Sequence, residues 1–276
     1  MEKVLDVPDL CTSFFTKFGE VKAVNHVSFD LEEGDVLAIV GESGSGKSVT
    51  SMSVMGLVAK GGKIVNGEIN FCGQNLVGLP EKEMEKLRGK EMSMIFQDPM
   101  TCLNPVFTIG NQMAEVLKFH HKEMAKQQRH DKMIEMLEKV GMSNPEERLK
   151  QYPHELSGGM RQRIMIALSL LCSPKLLIAD EPTTALDVTI QAQIMDLMRE
   201  LSQEINTSII LITHDLGVVA SIAKRVIVMY CGQIVENAAI KELYYNPKHP
   251  YTWGLLKALP RLYMKENELQ PIPGST

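Results

Sequence analysis

At 276 residues, with 44% apolar and 23% charged side chains, the chain has the composition of a soluble globular protein and the length for one or two domains. Its formal net charge of −5, from 29 basic and 34 acidic residues, argues against a general nucleic-acid binder, whose affinity for phosphate needs a basic surface. Five scattered cysteines, no two at C-x-x-C spacing, give no sign of a disulfide framework or a structural zinc site and are read as free thiols in a reducing compartment.

The N-terminus, Met1 to Asp6, has no apolar run behind its charges, so no signal peptide is expected. The longest apolar stretch, residues 164–172, falls far short of the roughly 20 residues that cross a bilayer. The chain is therefore expected to be cytoplasmic and not to span a membrane. Residues 24–31 mix apolar and polar positions as an extended segment, and Glu32-Glu33-Gly34-Asp35 turns the chain. Residues 36–40 are a continuous apolar run ended by glycine, the pattern of a fully buried strand. A helix is predicted from Lys47 to about residue 57.

Between that strand and that helix lies Gly41-Glu42-Ser43-Gly44-Ser45-Gly46-Lys47-Ser48, which matches G-x-x-x-x-G-K-[ST] in the context the motif requires. The glycines let successive backbone N–H groups turn inward around phosphates, and the helix N-terminus adds its positive dipole end. Lys47 is expected to reach the β- and γ-phosphates of a nucleotide, and the Ser48 hydroxyl to ligate magnesium.

The middle of the chain has a different pattern. Residues 112–140 carry no strand signal, and Met133, Met136, Leu137 and Val140 keep helical spacing, so residues 100–157 are predicted as a helical insertion beside an α/β core. His120, His121 and His130 fall in this polar stretch and are expected at the surface, since no carboxylate or Cys completes a metal set. The 18 methionines are expected to fill helix cores. Leu156-Ser157-Gly158-Gly159-Met160 opens a further helix, where Ser157 is either an N-cap or part of a second anion site.

Residues 176–179 form another buried-strand candidate, ending in Asp180-Glu181, and residues 208–212 form a third. Helical spacing of Ile190, Ile194, Leu197, Met198 and Leu201 between them gives βαβ alternation and hence a parallel sheet covered by helices. Asp180 is expected at the carboxyl edge of the sheet, holding magnesium, with Glu181 free to polarise an attacking water.

The order of these features resembles the nucleotide-binding subunits of ATP-binding cassette (ABC) transporters: the loop at 41–48, Gln97 after Met94-Ile95-Phe96, Ser157-Gly158-Gly159, Asp180-Glu181, Ala185-Leu186-Asp187, then His214. The resemblance covers residues 1–260 and implies an α/β fold with a RecA-like P-loop core and mainly parallel sheet, an N-terminal antiparallel β subdomain and an inserted helical subdomain. It places the core with its β subdomain at 1–99 and 158–240, the helical subdomain at 100–157 and a C-terminal segment at 241–276. It implies ATP and Mg2+, the nucleotide contacts running through Gly41, Glu42, Ser43, Gly44, Ser45, Gly46, Lys47, Ser48 and Val49. Magnesium would take Ser48, Gln97 and Asp180. Catalysis would rest on Lys47, Gln97, Glu181 and His214.

In the family two cassettes dimerise head to tail, so that Ser157, Gly158 and Gly159 of one chain close on the ATP of the other, with Asp187 at the seam. Phe18 takes the place of the aromatic that stacks on adenine, or is a partly buried loop residue. The segment after Gln97, residues 98–107, is expected to face the membrane partner. Met160 departs from the commonest signature but leaves the Ser and both Gly in place.

Gln97-Asp98-Pro99-Met100-Thr101 with Leu103-Asn104-Pro105, and His249-Pro250-Tyr251-Thr252 with Gly254-Leu255-Leu256, are similar to the peptide and nickel importer subfamily. Many of its members continue past a segment like Ile272-Pro273-Gly274 into a cysteine-bearing tail; those cysteines are missing here, so no iron–sulfur cluster is expected. The implied partners are a second, distinct cassette subunit, two transmembrane permease subunits and an extracytoplasmic solute-binding protein, with no nucleic acid. The implied location is the cytoplasmic face of the cell membrane. A soluble cassette ATPase acting on DNA or ribosomes is the alternative; it usually needs a coiled-coil insertion or two cassettes in one chain. A P-loop kinase or GTPase would leave Gln97, the signature and His214 unexplained.

Overall fold

The computed structural model describes residues 3–97, 102–184 and 186–258. The chain divides into two compact units, residues 1–79 with 210–276, and residues 80–209.

In the first unit, strands β1 (Lys3–Thr16) and β2 (Gly19–Glu32) form a long antiparallel hairpin. Leu5, Val7, Leu10, Val24, Val27 and Leu31 turn to its buried face. Its two-residue tip, Lys17-Phe18, is tied by Thr16, whose hydroxyl donates to the Gly19 carbonyl and accepts the Phe18 N–H. Strand β3 (Val36–Val40) follows and is buried at every position, which is why its sequence does not alternate. Helix α1 (Lys47–Val54) comes next. It stops before the predicted residue 57 because the chain turns left-handed at Gly56. Strands β4 (Gly62–Asn66), β5 (Asn70–Phe71) and β6 (Gln74–Asn75) complete an antiparallel sheet in the order β2-β1-β5-β6, with β4 also on β1.

The second unit begins with helix α2 (Glu81–Leu87) and strand β7 (Met92–Ile95), which runs parallel to β8 (Leu176–Asp180) in the register Met92 to Leu176. Between them come α3 (Ile109–His120), α4 (Lys126–Lys139), α5 (Pro145–Arg148), a 3-10 turn at Pro153–Glu155 and α6 (Gly158–Leu170). Helix α7 (Val188–Glu204) follows β8, and β9 (Ser208–Thr213), wholly buried, carries the chain into the first unit. There α8 (Leu216–Ile222) leads to β10 (Arg225–Tyr230), parallel to β3, and to β11 (Gln233–Ala239), antiparallel to β10. Helices α9 (Ile240–Tyr245) and α10 (Pro250–Lys257) end the described chain.

This is the expected α/β class, an antiparallel sheet and a mixed one with helices. Two expectations need correction. His120 and His121 are part-buried rather than on the surface, while the His130 side chain stays 38% exposed. His120 lies over Gly89, whose missing side chain leaves it room, since a Cβ there would meet Nε2 at 2.7 Å. Burial first, and the charges of His121 and Lys90 next, lower the pKa of His120. The methionines, too, are not confined to helices: Met92, Met94 and Met229 are buried in strands. All five cysteines are free thiols, and no helix among the described residues is long and apolar enough to cross a membrane.

Candidate functional site

In the first unit the loop between β3 and α1 has the form of a phosphate cradle. Gly41 and Gly46 are required there by both backbone and space. Their φ angles are +153° and +103°, and a Cβ would lie 2.3 Å from the Met229 carbonyl oxygen at Gly41 and 2.6 Å from that of Ala23 at Gly46. The turn after β10 also holds the loop, since the Gly232 N–H donates to the Ser45 carbonyl at 3.0 Å. Gly46 cannot cap α1 with a side chain, so the first N–H groups of the helix point out of its end unshielded by one. Residues 42–44 and Ser48 are exposed, Val49 is half-buried, and Lys47 is buried. The Lys47 ammonium donates to the carbonyls of Gly41 at 2.7 Å and Glu42 at 2.8 Å and lies 3.4 Å from the Ser45 hydroxyl.

Two further predicted residues of this unit are exposed. Phe18 stands at the hairpin tip with its full surface open, at 101%. That exposure removes the alternative of a partly buried loop residue. His214 is exposed in the link from β9 to α8, next to Asp215, whose carboxylate caps α8 by accepting the Gly217 N–H at 2.8 Å.

In the second unit the structure brings Gln97 and Glu181 together. The Gln97 side-chain nitrogen donates to Glu181 Oε2 at 3.0 Å, and the Thr184 hydroxyl donates to the same oxygen at 2.9 Å. Donation through the nitrogen leaves the Gln97 amide oxygen as the atom able to act as a hard donor. Glu181 takes a left-handed φ of 48°, a conformation that turns the chain sharply after the buried Asp180. Ser157 is indeed the N-cap of α6, accepting the Met160 N–H at 3.3 Å, while Ser157 and Gly158 remain exposed. Gly159 is tighter, since a Cβ there would lie 3.2 Å from Ile190 Cγ2. Asp187 caps α7 by accepting the Ile190 N–H at 3.0 Å. Among the described residues no cluster of three His, Cys, Asp or Glu is placed to hold a metal ion.

The ABC transporter family matches residues 24–184, which include the loop, Gln97, the signature and Asp180-Glu181. The chain belongs to that family. A second match, to the oligopeptide/dipeptide transporter C-terminal region, covers residues 235–276. The chain is 58% identical over 275 residues to the oligopeptide transport ATP-binding protein OppD of Bacillus subtilis (strain 168), covering 99% of this chain and 76% of the relative. It is 56% identical over 274 residues to the dipeptide transport ATP-binding protein DppD of Lactococcus lactis, covering 99% of this chain and 78% of the relative. Among solved structures it is similar to the ATP-binding cassette MJ0796, described as dimeric in a post-hydrolysis state with ADP and Pi. The TM-score is 0.76 at 26% identity, over 86% of this chain and 98% of that one. This ABC ATPase binds and hydrolyses ATP.

The contacts of three further residues escaped the sequence. Thr184 shares the Glu181 carboxylate. Gln162, buried in α6, donates to the Pro182 carbonyl and so ties the signature helix to the turn carrying Glu181. Tyr251 meets the phosphate loop. Of the three, only Thr184 lies within a few residues of its partner, and no motif names it.

The cap at Asp187 gives a test. Asp187→Ala is expected to lower stability by about 1 kcal/mol, the usual cost of losing an N-cap, whereas Asp187→Asn, which can still accept the N–H, should stay close to wild type. Denaturant unfolding of the three proteins measures this; equal loss in both variants would mean that the charge, and not the cap, is what α7 uses.

Proposed function

We propose that this ABC ATPase is the energy-coupling subunit of an importer that takes up oligopeptides or dipeptides through separate membrane subunits. The observation that carries the proposal is the oligopeptide/dipeptide C-terminal region at 235–276 on a chain that bears the complete order of cassette motifs. The partners are two transmembrane permease subunits, an extracytoplasmic solute-binding protein and a second, distinct cassette subunit. The chain works as a peripheral protein on the cytoplasmic face of the membrane.

Residue roles follow from chemistry. Lys47 and the N–H groups at the start of α1 bind the phosphates, and Phe18 stacks on adenine. Ser48, Asp180 and Gln97 carry a hydroxyl, a carboxylate and an amide oxygen, the hard donors that magnesium takes; their selection rests on the motifs. Magnesium, when bound, neutralises charge on the β- and γ-phosphate oxygens. Glu181 accepts a proton from the attacking water, held in place by Gln97 and Thr184. His214 hydrogen-bonds the γ-phosphate. Ser157, Gly158 and Gly159 serve the ATP held by the partner cassette, and the exposure of Ser157 and Gly158 suits that role. The exposed Val106 and Phe107 suit contact with a permease subunit, whereas residues 98–101 of the same stretch lie outside the described residues.

The test is reconstitution. Alone, the chain is expected to hydrolyse ATP weakly, because a two-fold dimer of identical chains must be self-complementary to complete its sites. Adding the second cassette, the permease subunits and a peptide-loaded binding protein in vesicles should raise phosphate release several-fold, and unloaded binding protein should not. Full activity of the chain as a homodimer, unchanged by peptide, would overturn the proposal.

A further inference from the structure

The C-terminal segment of the first unit reaches back to the phosphate loop. Tyr251, in the first turn of α10, is only 7% exposed, and its hydroxyl accepts the backbone N–H of Glu42 at 3.0 Å. The same hydroxyl lies 3.4 Å from Glu42 Oε2, to which it donates. Its ring packs against Tyr230 with centroids 4.6 Å apart. The segment that carries it is fixed in turn: both carboxylate oxygens of Glu236 in β11 are engaged, one by the Lys248 N–H at 2.8 Å and the other by the His249 N–H at 3.0 Å. His249 Nδ1 then accepts the Tyr251 N–H and caps α10.

The Glu42 N–H and the Gly41 carbonyl belong to one peptide unit. Lys47 holds the carbonyl end at 2.7 Å and Tyr251 holds the N–H end at 3.0 Å. We propose that Tyr251 is a positioning residue of the nucleotide loop, fixing the first peptide of that loop so that Lys47 and the following N–H groups are set for phosphate. The proposal rests on residues 41–48 being the phosphate loop. When Lys47 turns from the Gly41 carbonyl to a phosphate, the Tyr251 hydrogen bond is the one that still orients this peptide. Burial pushes the Tyr251 phenol up to about 12, so it keeps its proton and both its donor and acceptor roles at any ordinary pH. The oligopeptide/dipeptide C-terminal region thereby becomes part of the ATP site rather than an appendage to it.

Tyr251→Phe removes the hydroxyl and keeps the ring against Tyr230. ATP affinity, titrated without magnesium, is expected to fall about three- to tenfold, the size of one net hydrogen bond. KM for ATP should rise by the same factor, with kcat changed less than about twofold, because Tyr251 acts through the loop and not on the attacked phosphorus. Thr207→Val, which deletes another buried hydroxyl bond, 2.6 Å to the Pro174 carbonyl in the second unit, controls for a merely structural loss. It should lower the melting temperature and leave ATP affinity alone. If Tyr251→Phe behaves like that control, or changes neither quantity, the proposal is overturned. Should the variant fail to fold, amide exchange in the wild-type protein decides: the Glu42 N–H is expected to be protected, and rapid exchange overturns the proposal. Lys47→Ala, measured in the same titration, separates failure of this proposal from failure of the phosphate-loop assignment, because only the latter predicts unchanged affinity there.

Discussion

Glu181→Gln is expected to bind ATP as the wild type does and to turn it over at least about a hundredfold more slowly, the contribution typical of a general base. The substitution is nearly isosteric. The Gln97 nitrogen and the Thr184 hydroxyl, at 3.0 and 2.9 Å from Oε2, can still donate to an amide oxygen in that place, so the turn after β8 should keep its form. What disappears is the oxygen that accepts a proton. Because binding survives while the chemical step stalls, the variant should collect as a nucleotide-bound dimer. Phosphate release, ATP titration and size-exclusion chromatography with ATP measure the three parts. Turnover within a few-fold of wild type would remove Glu181 from the role of base.

The parts of this site that were legible in the sequence are those fixed by neighbouring residues. Strand β3, the glycines at 41 and 46 and the lysine after them form one local unit: an all-buried strand cannot alternate, the loop needs positive φ, and the helix opens at Lys47. Asp180 and Glu181 were legible for the same reason, as the polar end of an apolar strand. The end of α1 was less so, because a helix terminus depends on one left-handed residue, Gly56, amid residues that still fit the helical pattern. His120 and His121 looked like surface residues since nothing local shows that a glycine at 89 gives one of them somewhere to pack. Contacts between distant segments left no trace at all. Gln97 meets Glu181 across 84 positions and Tyr251 meets Glu42 across 209, and the spacing of neither pair constrains any turn, cap or face. The resemblance named Gln97 and Glu181 separately; their shared hydrogen bond came only from the fold.

Lys47→Ala should act earlier in the cycle than Glu181→Gln, on binding itself. Hydrogen bonds to charged groups contribute about 1.5–3 kcal/mol, which at about 1.4 kcal/mol per decade is a ten- to hundredfold loss of ATP affinity. Without nucleotide the ammonium is buried and donates to the Gly41 and Glu42 carbonyls, so its removal also leaves the resting loop less well satisfied. The two effects separate in a melting experiment. Loss of the resting contacts lowers the melting temperature of the ligand-free protein, whereas loss of phosphate binding reduces the further rise that ATP produces, which grows with the logarithm of ligand concentration over Kd. Lys47→Arg should not restore the rise, because the planar guanidinium is larger than the ammonium and carries its donors in a fixed fork that the buried site does not match. An ATP-induced rise equal to wild type in Lys47→Ala, with the same Kd on titration, would mean that residues 41–48 do not hold the phosphates.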